Sequence, residues 1–121
     1  MNEEDVMQAP TGTMPIVSWN DFSAAYDAAH RDPVNRWIHH ATHVGVVVGA
    51  LLAAAGHPAW GAGLVLGALP INWASHAIFE RNRPAFLAPA DAWGKAQVAL
   101  GGLVWTAATL RHDLARLLGS R

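Results

Sequence analysis

Apolar residues recur at helical spacing along most of the chain, and the pattern breaks at proline and glycine. From Ser18 to Ala29 the run SWNDFSAAYDAA sets Trp19, Phe22 and Tyr26 three and four residues apart. That predicts a short amphipathic helix capped by Ser18, with an aromatic face suited to lying along a membrane interface. Asp32-Pro33 is a helix start, because Asp caps and Pro is pre-organised for the first helical position. The helix it opens runs from Pro33 to about Ala55 and stops at Gly56-His57-Pro58. A second apolar helix runs from about Ala59 to Glu80 or Arg81, with an expected kink at Pro70. RNRPAFLAPAD reads as a loop closed by Asp91 as a cap, and a third long helix spans about Ala92 to Leu118 before Gly119.

The uninterrupted apolar cores are about 12 to 15 residues, short of the roughly 20 that cross a bilayer. Each reaches about 20 once the polar residues at one end are counted. The joining loop carries no Lys or Arg, and Gly45, Gly49, Gly63 and Gly67 give small-xxx-small spacings suited to close packing in lipid. Composition agrees: 14% of the 121 residues are charged, where roughly a quarter is usual. Six tryptophans against one tyrosine suit interfacial anchors. The expected fold is all-α: an antiparallel hairpin of two apolar membrane helices, a third helix, and a short N-terminal amphipathic helix. Residues 1–17 read as a flexible tail and 18–121 as a single helical membrane domain. The acidic opening has neither the basic start nor the apolar run of a secretory signal. A net charge of −1 gives no broad attraction to nucleic acid, and with no cysteine there is no disulfide or thiolate site. Glycine-rich helix faces leave room for a homo-oligomer.

Four of the seven histidines fall in HRDPVNRWIHHATH, at the mouth of the first apolar helix. Asn35, His39 and His43 are spaced i, i+4, i+8 and share one stripe. Asn72, His76 and Glu80 repeat that spacing at the end of the second helix, which a short turn brings back alongside the first. His30 can close the site from the loop. Ionisable groups at membrane depth usually mark function, and imidazoles with one carboxylate suit a divalent first-row metal. Two histidines and a carboxylate with open positions are the pattern of non-haem Fe(II) oxygenases, while zinc accepts the same ligands. Glu80 is a candidate ligand, base or orienting partner of His76; Asn35 and Asn72 read as hydrogen-bonding groups. His40 lies about 100° off the stripe. It is expected at the surface, as are His57 and His112. The alternative is a non-enzymatic membrane protein whose polar cluster serves helix packing or lipid-head binding. A di-iron centre wants about eight ligands and too few converge; bis-histidine haem binding is a further option. Arg31, Arg36, Arg81, Arg83 and Lys95 fall at the histidine end and point it to the cytoplasm, whereas Arg111, Arg116 and Arg121 argue the other way if the third helix crosses.

HRDPVNRWIH, with His30, Pro33, Asn35, Arg36 and His39, resembles the H-x-x-P-x-N-R-x-x-H element of the 2-hydroxy fatty acid dioxygenase-like family of small membrane proteins. NWASHAIFERNRPAF resembles that family's second element, W-x-x-H-x-x-x-E-x-x-x-P-A, through Trp73, His76, Glu80, Pro84 and Ala85. Together they cover about residues 19 to 90, in the family's order and separation. The resemblance implies an Fe(II)-dependent enzyme that uses O2 to shorten 2-hydroxy long-chain fatty acids by one carbon. It also implies that the family's essential histidines are His30, His39 and His76. His43 enters as a metal ligand from the helix geometry only. On this reading Glu80 and Asn35 are the catalytic candidates, and Arg36, Arg81 and Arg83 are candidates to pair the substrate carboxylate. The chain departs from the family after His39, where HATHV carries no proline.

Overall fold

The structure is a computed structural model that describes residues 18–87 and 89–119; the tail expected at 1–17 lies outside them. All its regular elements are helical, in the order α1 (Trp19–Ala29), α2 (Pro33–Ala54), α3 (Pro58–Ser75) and α4 (Ala92–Leu117). The expected caps form. Ser18 Oγ accepts from Asp21 N, Asp32 accepts from the amides of Val34 and Asn35, and Asp91 accepts from Gly94 N. Each satisfies amides that the first turn of a helix leaves unpaired.

α2 and α3 form the antiparallel hairpin. It turns at Gly56, whose φ of +96° is the left-handed conformation that glycine adopts without strain. The helices approach most closely at Gly49 and Gly61, where a Cβ on Gly49 would stand 2.9 Å from the Gly61 carbonyl oxygen. The small-residue contact is thus made by this pair near the turn; a Cβ on Gly45, Gly63 or Gly67 would meet nothing within 4 Å. Pro70 sits inside α3 without ending it. The helix instead widens into a π-helical turn over His76–Glu80, which Arg81 closes in a left-handed conformation (φ 55°). Arg83 precedes Pro84 and so disfavours further helix.

Pro33–Ala54 and Pro58–Glu80 are both long and apolar enough to cross a membrane. Only 22% and 17% of their apolar windows are buried, where the core helix of a soluble protein would be mostly buried. Val44, Val47, Val48 and Leu51 on α2, with Trp60, Leu64, Leu66 and Ile71 on α3, stand exposed. So much contiguous apolar surface calls for an apolar surrounding or a partner.

Burial concentrates at the other end of the hairpin, under α1 and α4. Phe22, Tyr26 and Trp105 form the aromatic core, each stabilising the fold by roughly 1.5–3 kcal/mol. Phe22 and Tyr26 on the apolar face of α1 are therefore spent on α4, while Trp19 stays exposed. Contact is close because Gly102 leaves room: a Cβ there would stand 2.8 Å from the Tyr26 hydroxyl. The last turns of α4 are tied to the histidine end, and its first turn to the segment after α3. Asp113 bonds Arg36 at the start of α2, and Lys95 Nζ donates to the carbonyls of Phe86 and Pro89 in the segment after α3. Arg116 near the end of α4 therefore lies on the same side as Arg31 and Arg36, and Arg121 falls outside the described residues.

Candidate metal centre

His30 ends α1, His39 lies two turns into α2, and His76 opens the π-helical turn. Their rings meet edge to face with centroids 4.3 Å (His30–His39), 4.7 Å (His30–His76) and 4.7 Å (His39–His76) apart. One ring nitrogen from each lies within 4.8 Å of the other two, and all three residues are buried.

Hydrogen bonds decide which nitrogen that is. His30 Nδ1 donates to the Tyr26 carbonyl at 2.6 Å, and His39 Nδ1 to the Asn35 carbonyl at 2.9 Å, each closing one helical turn. His76 Nδ1 stands 2.7 Å from Asn82 Oδ1, and Asn82 Nδ2 donates to the Ala29 carbonyl at 3.2 Å. With its amide nitrogen spent there, Asn82 presents its oxygen to His76, which must donate. Every Nδ1 carries its hydrogen, so every Nε2 carries a lone pair. His30 Nε2 has no hydrogen-bond partner among the described residues although the side chain is 1% exposed. A buried polar atom left unpaired is costly, and a metal ion is the partner this donor set fits. Burial, reinforced by the imidazoles of His39, His76 and His43 against the pull of the Tyr26 carbonyl, pushes the His30 pKa down to about 2. It stays neutral, as a ligand must.

The triad forms part of the wall of a cavity of about 280 Å³ between the hairpin and α4. Tyr26, His43 and Asn72 supply further polar groups; Val46, Val65, Leu69, Phe86 and Leu103 are among the apolar ones. Asn72 Oδ1 accepts from Thr42, a bond that joins α2 to α3 at this depth.

Several expected site residues stand elsewhere. His43 lines the cavity beside the triad but falls outside the convergent set, with Nδ1 on Thr106 at 2.7 Å and Nε2 3.4 Å from the Tyr26 hydroxyl. Glu80 does not orient His76. Its Oε1 accepts from Asp32 N at 2.7 Å and from Asn35 Nδ2 at 3.1 Å, while Asn35 Oδ1 accepts from Ser75 at 2.5 Å. Glu80 and Asn35 thus clasp the start of α2 to the end of α3, and neither is among the residues lining the cavity. Arg36 is held by two carboxylates, with Nε and Nη2 on Asp113 and Nη1 on Asp27, and lies over the Trp105 ring. Arg81 and Arg83 are exposed and also away from the cavity lining. His57 and His112 are exposed, as expected, but His40 is not. It is 2% exposed, stacks on Trp105, and bonds Thr106 and Asp113. A helix 66 residues away covers that face, and no spacing within α2 announces it.

Asn82 went unread in the sequence. The signal was there in retrospect: an amide six residues after a candidate ligand histidine, ahead of a proline that forces the chain to turn.

The family model described as 2-hydroxy-palmitic acid dioxygenase Mpo1-like matches residues 16–112. No curated protein and no solved structure matches the chain significantly. The matched span takes in all three convergent histidines, Asn82 and most of α4, and the chain belongs to the 2-hydroxy-palmitic acid dioxygenase Mpo1-like family.

Proposed function

We propose that this protein is an iron-dependent membrane dioxygenase that shortens 2-hydroxy long-chain fatty acids by one carbon. The observation that carries the reading is the convergence of three histidines whose Nδ1 atoms are all committed as donors, leaving three Nε2 lone pairs for one ion. Iron held there would supply the redox chemistry that O2 requires. The overall change balances with no other reductant: a 2-hydroxy acid and O2 give the shorter acid, CO2 and water.

The rest falls to the chain itself. His30, His39 and His76 hold the ion, and Asn82 and the carbonyls of Tyr26 and Asn35 fix the ring orientations. Valine, leucine and phenylalanine walls take the acyl chain and exclude water from the polar end. Tyr26, His43 and Asn72 meet the head group. Arg36 is left to structure, since Asp27 and Asp113 already neutralise it. The exposed apolar belts of α2 and α3 set the hairpin in the bilayer, where a lipid substrate dissolves. Arginines at the histidine end, against none in the Gly56–Pro58 turn, favour a cytoplasmic site.

The test is elemental analysis of detergent-purified protein lacking a histidine tag, compared with His76→Ala. The expected result is about one iron per chain that vanishes in the variant, with O2-dependent turnover of 2-hydroxyhexadecanoic acid vanishing alongside. Stoichiometric zinc would redirect the site to hydrolysis. Absence of any metal after anaerobic iron loading would sink the enzyme reading and leave a polar packing cluster.

A further inference from the structure

From the cavity, a run of hydrogen bonds leads through the protein to an ion pair on the far side of α2. The Tyr26 hydroxyl lies 3.4 Å from His43 Nε2, and His43 Nδ1 lies 2.7 Å from Thr106 Oγ1. Thr106 Oγ1 lies 3.1 Å from His40 Nδ1, and His40 Nε2 lies 2.7 Å from Asp113 Oδ2. Tyrosine, threonine and neutral histidine each offer a donor and an acceptor; a carboxylate only accepts. The direction of every bond is therefore set from the Asp113 end.

Asp113 is an anion here. Burial alone would raise its pKa, but hydrogen bonds from Arg36 and His40 outweigh that and hold it below the usual carboxylate value. Arg36 already balances its charge and lies 4.7 Å over the Trp105 ring on which His40 stacks. Asp113 only accepts, so the His40 tautomer that completes this pair carries its N–H at Nε2 and leaves Nδ1 as an acceptor. His40 Nδ1 then accepts from Thr106, and the Thr106 oxygen accepts from His43 Nδ1. That leaves His43 Nε2 bare.

We propose that Asp113, acting through His40 and Thr106, fixes the tautomer of His43 so that its Nε2 faces the cavity as an acceptor for a ligand hydroxyl group. In the free protein the Tyr26 hydroxyl is the nearest donor to that nitrogen, and a contact of 3.4 Å leaves it weakly engaged. A ligand hydroxyl beside the carboxylate is the group that would take its place, so the network selects 2-hydroxy acids over plain fatty acids. The choice of ligand rests on the function proposed above, whereas the tautomer does not. Asp113 and Thr106 are positioning residues, since neither lines the cavity.

The experiment is 15N NMR of the full-length, metal-free chain in detergent with labelled histidines. Wild type should show His43 with a protonated Nδ1 and a bare Nε2. Thr106→Val should draw the two His43 signals together as tautomers mix, while Thr106→Ser should restore the original pattern. Asp113→Leu should mix them likewise, and should add nothing in the Thr106→Val background. A bare Nδ1 in wild type, a doubly protonated His40, or a His43 signal indifferent to Thr106→Val would each overturn the inference. If Asp113→Leu does not fold, the Val and Ser pair at Thr106 carries the test alone. Competition binding of 2-hydroxyhexadecanoic against hexadecanoic acid should show a wild-type preference that falls about tenfold in Thr106→Val, the scale of one hydrogen bond. A preference that survives Thr106→Val overturns the inference and leaves the proposed substrate standing. No preference in wild type, with the expected NMR pattern, overturns the ligand assignment instead.

Discussion

His39 and His40 are neighbours in sequence and both buried, yet they belong to opposite kinds of environment. On the His39 face, three imidazoles each spend one nitrogen on a protein oxygen and aim the other at a common point. On the His40 face both ring nitrogens are spent, on Thr106 and Asp113, and the nearby guanidinium is shared between two carboxylates. Burial and clustering do not separate a binding site from a structural network. Unspent valence does: one face is an open set of lone pairs, the other a closed circuit.

The contrast is broken most directly by truncating each neighbour. His39→Ala should abolish metal binding and lower turnover by at least about 100-fold, beyond the loss usual for an orienting group. His40→Phe should keep the metal, and elemental analysis of the two variants separates the faces. Asp113→Ala should destabilise the protein by about 3 kcal/mol, read by thermal unfolding in detergent, because it leaves a half-buried guanidinium with one carboxylate. Asn82→Ala should weaken metal affinity by roughly 10- to 100-fold with little loss of fold, since it frees the His76 ring without removing a ligand.

Acid should attack the two faces in different ranges. In the metal-free protein the His30 pKa is lowered from 6.5 to about 2. Its contribution to stability is thus full above 6.5 and is lost as pH falls from there toward 2. The Asp113 pKa is lowered from 3.8, so its contribution is full above that value and is lost only below it. An unfolding titration should therefore begin to decline near pH 6.5, and Asp113→Ala should lower the curve above about pH 4 and converge toward wild type below it. The smallest effect belongs to Arg83→Ala, an exposed position expected to stay within about 0.5 kcal/mol of wild type.

The architecture and the triad were legible because local rules set them. Ser18, Asp32 and Asp91 announce their helices, and a short turn obliges the start of α2 to meet the end of α3. His39 and His76 then arrive together, and His30 needs only the reach of a two-residue link. What spacing does not carry is contact across long separations. His40 looks like a surface residue within α2, and Arg36 like a free cation. Their partners, Thr106 and Asp113, follow from where α4 docks, 66 to 77 residues later. Glu80 was placed at the right depth, but the direction of its carboxylate follows from the π-helical turn and the left-handed Arg81, which no periodicity signals.

The residues that bond or form the triad all fall between Tyr26 and Asn82, whereas the docked helix that walls the cavity comes last. During synthesis, a chain that has made its hairpin but not α4 holds all three convergent histidines before it has a chamber around them. An ion captured at that stage would meet solvent and lipid on the side that Val98, Ala99 and Leu103 later close. Released chains truncated near residue 90 should therefore take up metal yet lose it readily to a chelator, and retention should appear only in chains that include α4.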